Sequence, residues 1–246
     1  MRKILPSITT HGTTSISWKD RISEIEPLGL RDVGLFLTGL TADQRYECYN
    51  LLRKVRRHHS FSVPFVHAVS SMNEDEYNFL IDIFDTKAFN LHPTSQYPLD
   101  QNLSANLREK IYIENASVEH ALTPADIEGF AGICLDLSHL EEMRLNDIDA
   151  YRKMETMLGS NKIGANHLSA IWYKTTVILS GRRRYSQHVL RTGRDLIYLK
   201  GYPANYFSRY CAIELENSLA EQARLIHVLE QLLADKNSTE HIKEAA

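Results

Sequence analysis

Short apolar runs recur along the chain between helix-like stretches, and six of them end on an acid or a histidine: His67, His92, Glu114, Asp136, His167 and Glu214. The clearest is Gly132-Ile133-Cys134-Leu135-Asp136-Leu137-Ser138-His139. Ile133, Leu135 and Leu137 alternate on one face while Cys134 and Asp136 share the other, which is the period of a strand. A carboxylate at the end of so apolar a strand is costly to bury unless something cationic meets it. Taken alone the run has a plain reading, in which Asp136 caps the next helix and His139 lies on the surface. The repetition of the same ending on other runs favours a shared site.

In chain order, Lys3 to Thr10 reads as a first strand ending near His11, followed by a helix from Trp18 to Leu28. Val33 to Leu37 is a second strand, and Thr41 with Gln44 forms a capping box opening a helix to about Arg57. Phe61 to Val66, ending at His67, is the third strand; Asn73 caps a helix through Phe84; Lys87 to Leu91 is the fourth strand, ending at His92. A weak polar helix near Asn102 to Arg108 precedes a fifth strand, Lys110 to Ile113, ending at Glu114. Thr123-Pro124 starts a short helix. The Gly132 run is the sixth strand, Asp147 to Leu158 a helix, and Lys162 to Asn166 a seventh strand ending at His167. A long connection from Thr175 to Phe207 holds a helix near Val189 to Leu199. Tyr210 to Ile213 is the eighth strand, ending at Glu214, and Ser218 with Glu221 caps the last helix. The barrel domain is expected over residues 1–234, with 235–246 a frayed polar tail.

Eight strands alternating with helices argue for a single closed (β/α)8 TIM barrel, an α/β fold. An open doubly wound sheet is the alternative, but no Gly-rich phosphate loop follows any strand. Strand parity then turns each terminal polar residue inward: Tyr112 with Glu114, Ala212 with Glu214, Phe65 with His67, Asn90 with His92, Ala165 with His167. Glu114, Asp136 and Glu214 would meet several histidines at the C-terminal mouth, where barrel enzymes keep their chemistry. Three clustered carboxylates repel one another unless protonated or bound to a divalent metal. Carboxylate with imidazole and no thiolate suits manganese, zinc, iron or cobalt. Each residue alone has a structural explanation, as an ion-pair partner or a satisfied core histidine.

Composition narrows the classes. Of 246 residues, 43% are hydrophobic and 24% charged, which excludes disorder of the whole chain. A net charge of −3, from 28 basic and 31 acidic residues, gives no general affinity for nucleic acid. Cys48, Cys134 and Cys211 are an odd set without paired spacing, so no disulfide framework is expected and a reducing cytoplasm fits best. No run approaches a membrane span, and the first fourteen residues lack the apolar core of a signal peptide.

Glu114-Asn115 after Ile111-Tyr112-Ile113, the step Asp136-Leu137-Ser138-His139, His167-Leu168 and Glu214 together resemble the xylose isomerase-like barrel superfamily, which includes sugar isomerases and epimerases and the apurinic endonucleases. The resemblance implies that Glu114, Asp136, His167 and Glu214 bind a metal, with the catalytic candidate His139 beside it. In its ketose epimerase branch the glutamates of the fifth and eighth strands, here Glu114 and Glu214, also act as acid and base. His67, His92 and His188 fall where the endonuclease branch places additional zinc ligands, although Ser186 stands where that branch has an aspartate. The run Arg182-Arg183-Arg184 reads either as a solvated patch or as a phosphate contact above the mouth. The acidic balance favours a small substrate. The expectation is therefore a metal-dependent isomerase or epimerase of a small sugar or sugar phosphate, working through an enediolate. A phosphodiester hydrolase acting on nucleic acid is the alternative, and a metal-binding barrel with lost catalysis the third reading.

Overall fold

The computed structural model describes residues 2–12, 14–115, 121–175, 177 and 181–243, with backbone alone for 235–243. Nine strands form one parallel sheet: β1 (Lys3–Leu5), β2 (Ser7–Thr9), β3 (Asp32–Phe36), β4 (Ser62–His67), β5 (Ala88–Leu91), β6 (Ile111–Glu114), β7 (Gly132–Asp136), β8 (Ile163–Leu168) and β11 (Tyr210–Ile213). Their order is β1-β11-β8-β7-β6-β5-β4-β3-β2. The two ends of that series are consecutive in the chain, separated only by Pro6. They are two halves of one stave, β1 pairing with β11 and β2 with β3, so eight staves close into a barrel. The sequence reads this stave as unbroken. Proline, which lacks an N–H, divides it, and Pro6 still accepts from Gly34 N at 2.9 Å. Gln222 bridges the seam: its side chain accepts from Ser7 N at 2.7 Å and donates to Ser7 O at 3.0 Å.

The helices lie between the staves: α1 (Trp18–Glu24), α2 (Ala42–Arg56), α3 (Glu74–Phe84), α4 (Ala105–Arg108), α5 (Pro124–Ile127), α6 (Leu137–Asn146), α7 (Ile148–Ser160) and α8 (Leu219–Lys243). The expected Thr41–Gln44 capping box and the Asn73 cap are both present. Three expectations are corrected. A separate helix, α6, starts directly from Asp136. The helix expected near 189–199 is a 3-10 helix over Gly193–Gly201, followed by a second over Ala204–Tyr206. The long connection also carries a strand, β10 (Ser186–Gln187), which pairs antiparallel with β9 (Ala170–Ile171) just before it. At the C-terminus α8 continues to Lys243. Among the described residues no helix is long and apolar enough to cross a membrane.

Two apolar layers follow from strand parity. Facing the helices are Ile8, Leu35, Val66, Phe89, Ile113, Leu135 and Ile213, all buried. Inside the barrel sit Leu5, Phe36, Phe65, Ala88, Tyr112, Cys134, Ala165 and Ala212. Large and small residues alternate there, as a closed interior requires. Where β8 meets β7, Ile163 pairs with Ile133 and Ala165 with Cys134, so Gly164 is an extra residue in the ladder. A Cβ at Gly164 would overlap the Tyr112 ring, and the bulge restores the register that turns Ala165 and His167 inward.

A candidate metal centre at the barrel mouth

One layer above the apolar interior, the next inward residue of six staves is polar: His67, Asn90, Glu114, Asp136 and His167, with Glu214 following β11. His67, Glu114, Asp136 and His167 are fully buried. Their separations are short. Glu114 Oε2 lies 3.0 Å from His67 Nε2, 3.8 Å from His92 Nε2 and 3.5 Å from His167 Nδ1. His167 Nδ1 is also 3.3 Å from Glu214 Oε2 and 3.8 Å from Asp136 Oδ2. His139 Nε2 stands 3.7 Å from Asp136 Oδ2, and His188 Nδ1 3.7 Å from Glu214 Oε1. The fold thus gathers all eight candidates named from the sequence as catalytic or ligating. The donor atoms of seven of them, all but His188, form three overlapping groups: His67, His92 and Glu114; Glu114, Asp136 and His139; Asp136, His167 and Glu214.

Asp136 divides its two oxygens between two tasks. Oδ1 accepts from Ser138 N at 2.7 Å, Ser138 Oγ at 2.7 Å and His139 N at 2.9 Å, which caps α6. Oδ2 has no hydrogen-bond partner among the described residues and faces the histidines. Helix cap and candidate ligand are therefore one residue, and the two readings of the sequence do not compete. Ser138 Oγ also meets Ser186 Oγ at 2.7 Å, so the serine at the aspartate position of the endonuclease pattern ties into the cap.

Asn90 is the residue that sequence reasoning placed inward without assigning a role. Its Nδ2 donates to Glu114 Oε2 at 2.8 Å, which orients the amide so that Oδ1 faces His167 Nε2 at 3.3 Å. His167 then carries its proton on Nε2 and turns the Nδ1 lone pair toward three carboxylates. A lone pair and three anionic oxygens converging in a buried space require a cation or added protons. Protonation of the imidazoles is the second of these. Burial opposes charge on His167, but Cys134, Glu114, Glu214 and Asp136 outweigh it and raise the imidazole well above its usual range. Burial likewise opposes the charge on Glu114, Asp136 and Glu214, yet the neighbouring histidines hold all three below the usual carboxylate range. For His139 burial works against charge and Asp136 reverses it, raising the ring. His92 differs: burial, against the pull of Glu114, pushes it down to about 4.

A divalent cation fits this donor set. Asp136 Oδ2, His139 Nδ1 and His167 Nδ1 are buried without hydrogen-bond partners among the described residues. The donors are carboxylate and imidazole, the set that suits manganese, zinc, iron or cobalt. Cys134 faces into the barrel with its thiol pushed up to about 11 by burial, the state of an inert core cysteine.

The arginine run does not join this centre. Arg182 pairs with Asp147 at 3.4 Å, at the start of α7, and Arg183 donates to Thr175 O at 3.1 Å. Arg183 N and O meet the Asn146 side chain at 3.2 and 2.8 Å, fastening the loop to the end of α6. Arg184 is exposed and its carbonyl accepts from Gln187. These contacts make the run a fastening of the outer loop.

No protein-family model and no curated protein matches the sequence. Solved structures match its fold. A xylose isomerase domain protein from Alicyclobacillus acidocaldarius subsp. acidocaldarius aligns over 94% of this chain and 99% of its own, with TM-score 0.52 and 13% identity. Another from Planctomyces limnophilus aligns over 96% and 97%, with TM-score 0.50 and 12% identity. At these identities the likeness is one of fold.

Proposed function

We propose that this xylose isomerase-like barrel is a divalent-metal-dependent enzyme that hydrolyses a phosphate ester at a site holding more than one cation. The observation that carries the reading is the position of Glu114. Its Oε2 lies near His67 and His92 and also near His167, and Glu114 belongs to two of the three donor groups, one with His67 and His92 and one with Asp136 and His139. A carboxylate shared in this way is suited to bridge neighbouring cations. Bound there, they would neutralise and polarise a phosphoryl group and stabilise the charge that develops during in-line displacement. The chain's own part is to hold that geometry. Asn90 fixes which nitrogen His167 presents, and the α6 cap fixes which oxygen Asp136 presents. In the overall reaction the bond between phosphorus and the alcohol oxygen breaks, the oxygen of water joins phosphorus, and a proton passes to the departing alcohol. His139, part-exposed at the rim with Nε2 beside Asp136, is placed to carry that proton.

The isomerase or epimerase reading stands second. In its favour, Glu114 and Glu214 approach His167 Nδ1 from two staves, and the Glu214 side chain is the most open of the three carboxylates at 13% exposure. Against it, Glu114 Oε2 is already bonded by Asn90 and faces His67, which reduces its strength as a base. The deciding experiment is metal analysis of protein purified without chelator, paired with assays on bis(p-nitrophenyl) phosphate, ribose 5-phosphate and abasic duplex DNA. Two or three equivalents per chain, one of them lost in His67→Ala, together with ester cleavage, is the expected result. About one equivalent, unchanged in that variant, with solvent deuterium entering a sugar carbon, would establish the isomerase instead.

A further inference from the structure

Outside the sheet, a cavity of ≈ 350 Å³ lies between α6 and α7 on one side and the 3-10 helix Gly193–Gly201 on the other. It shares no residue with the three donor groups of the candidate metal centre. We infer that it is a second ligand site, one that takes a small, uncharged, planar heteroaromatic ring bearing a hydrogen-bond acceptor.

Three observations carry the inference. The first is the ion pair in the wall. Glu141, its side chain only 3% exposed, accepts from Arg144 Nε at 2.8 Å and Nη2 at 2.6 Å, from the Tyr202 hydroxyl at 2.7 Å and from the Tyr173 hydroxyl at 3.3 Å. These donors fix the carboxylate, and the carboxylate in turn fixes the guanidinium in one orientation. Arg144 is still 45% exposed, and its Nη1 has no hydrogen-bond partner among the described residues. Arg144 lines the cavity, so the open nitrogen is a preset donor for an acceptor held there. The second is charge. Among the described residues the wall has no other charged side chain, and this pair cancels itself. An anion would lie against Glu141 as well as Arg144, and a cation against Arg144 as well as Glu141, so neither recovers what its desolvation costs. An acceptor on a neutral ring is the group that fits. The third is the aromatic lining, made by Tyr151, Tyr173, Tyr198 and Tyr202. Tyr198 and Tyr202 are buried and brace each other edge to face, with centroids 6.4 Å apart. The Tyr198 hydroxyl donates to Ser169 O at 2.9 Å and the Tyr202 hydroxyl to Glu141, so what the two offer the cavity is ring surface. Tyr173 and Ile197, each half exposed, flank it at the surface. Rings pinned by their hydroxyls are a preformed contact for a flat ligand, and the volume suits one ring or a fused pair.

The test uses the full chain and three probes of similar size: nicotinamide, its anionic counterpart nicotinate, and the non-planar cyclohexanecarboxamide. Binding is titrated by ligand-observed NMR. Nicotinamide is expected to bind, with nicotinate and cyclohexanecarboxamide each weaker by at least about fivefold. Three variants locate the site. Arg144→Lys keeps a charge beside Glu141 but loses the fork, Tyr173→Ala removes an exposed ring, and Ile197→Trp narrows the opening from a half-exposed position; each should weaken nicotinamide by at least about fivefold. Circular dichroism checks that each variant is folded, and if Arg144→Lys is not, the two surface variants still decide the question. Failure of nicotinamide to bind overturns the proposal, as does binding of either other probe as tightly as nicotinamide. A nicotinamide affinity unchanged in Tyr173→Ala and Ile197→Trp also overturns it, because the ring is then held elsewhere. Self-association of the parent that these two variants abolish, with no nicotinamide bound, would overturn it in favour of an interface between copies of the chain.

Discussion

Asp136 shows how much one side chain can be asked to do. Asp136→Asn should keep Oδ1 as the cap of α6 while removing the charge at the second atom, so the variant is expected to melt close to the parent and to lose most bound metal. Asp136→Ala loses the cap as well, at a cost of about 1 kcal/mol, partly offset by relief of repulsion among the carboxylates. Melting curves and metal content measured together check both, and full occupancy in either variant would remove Asp136 from the ligand set. Asn90→Leu tests the orienting amide. By analogy with other residues that aim a ligand from behind, metal affinity should fall by about 10–100-fold although Asn90 is not itself placed as a ligand. Unchanged affinity would mean that His167 is aimed by packing alone. The acids and histidines were legible in the sequence because their side chains announce metal chemistry at strand ends. Asn90 was not, since an amide acquires its meaning only from the two partners it joins. At Arg182 to Arg184 the charge is visible in sequence, but Asp147 and the Thr175 carbonyl, which engage the first two arginines, are visible only in space.

At the scale of single elements, β8 holds the narrowest tolerance. Gly164 is the extra residue in its ladder, and the Tyr112 ring from β6 fills the space a side chain would need. Gly164→Ala should destabilise the protein by about 1–3 kcal/mol or more, read in thermal or denaturant melts. Pairing it with Tyr112→Leu should recover part of the loss, and a purely additive double variant would show that the glycine serves the backbone rather than the ring. Period-two patterning revealed every stave and the inward face of six of them, because burial on both sides of a barrel strand constrains each residue. It did not reveal the bulge, which depends on a neighbour two staves away. The 3-10 segments after Thr192 were also illegible as such, since helical spacing over nine residues does not distinguish i+3 from i+4 bonding.

For the whole molecule, cation binding at the proposed centre would be linked to protons. Every donor must be unprotonated to bind a metal, and the groups around His167 raise its imidazole above its usual range, so a cation bound there would compete with a proton. Affinity should therefore fall as pH is lowered from about 7.5 to about 5.5, and calorimetry in buffers of different ionisation heat should show protons released on binding. A binding constant independent of pH would contradict this. Chelation should also lower the melting temperature, since a cation that binds only the folded protein adds to its stability.

The seam at Pro6 bears on how the chain is made. Ser7 meets Gln222, 215 positions later, and Lys3 N donates to Arg209 O at 2.7 Å. During synthesis the first stave leaves the ribosome early, with β3 soon available to its second half, while its first half waits for β11, the last strand to be translated. Until then the growing sheet has one free edge at β1 and another at whichever strand emerged last. Such edges invite pairing with other chains. A nascent chain stalled before Tyr210 would be a sheet with both edges open, more a hazard to its neighbours than a smaller version of the barrel.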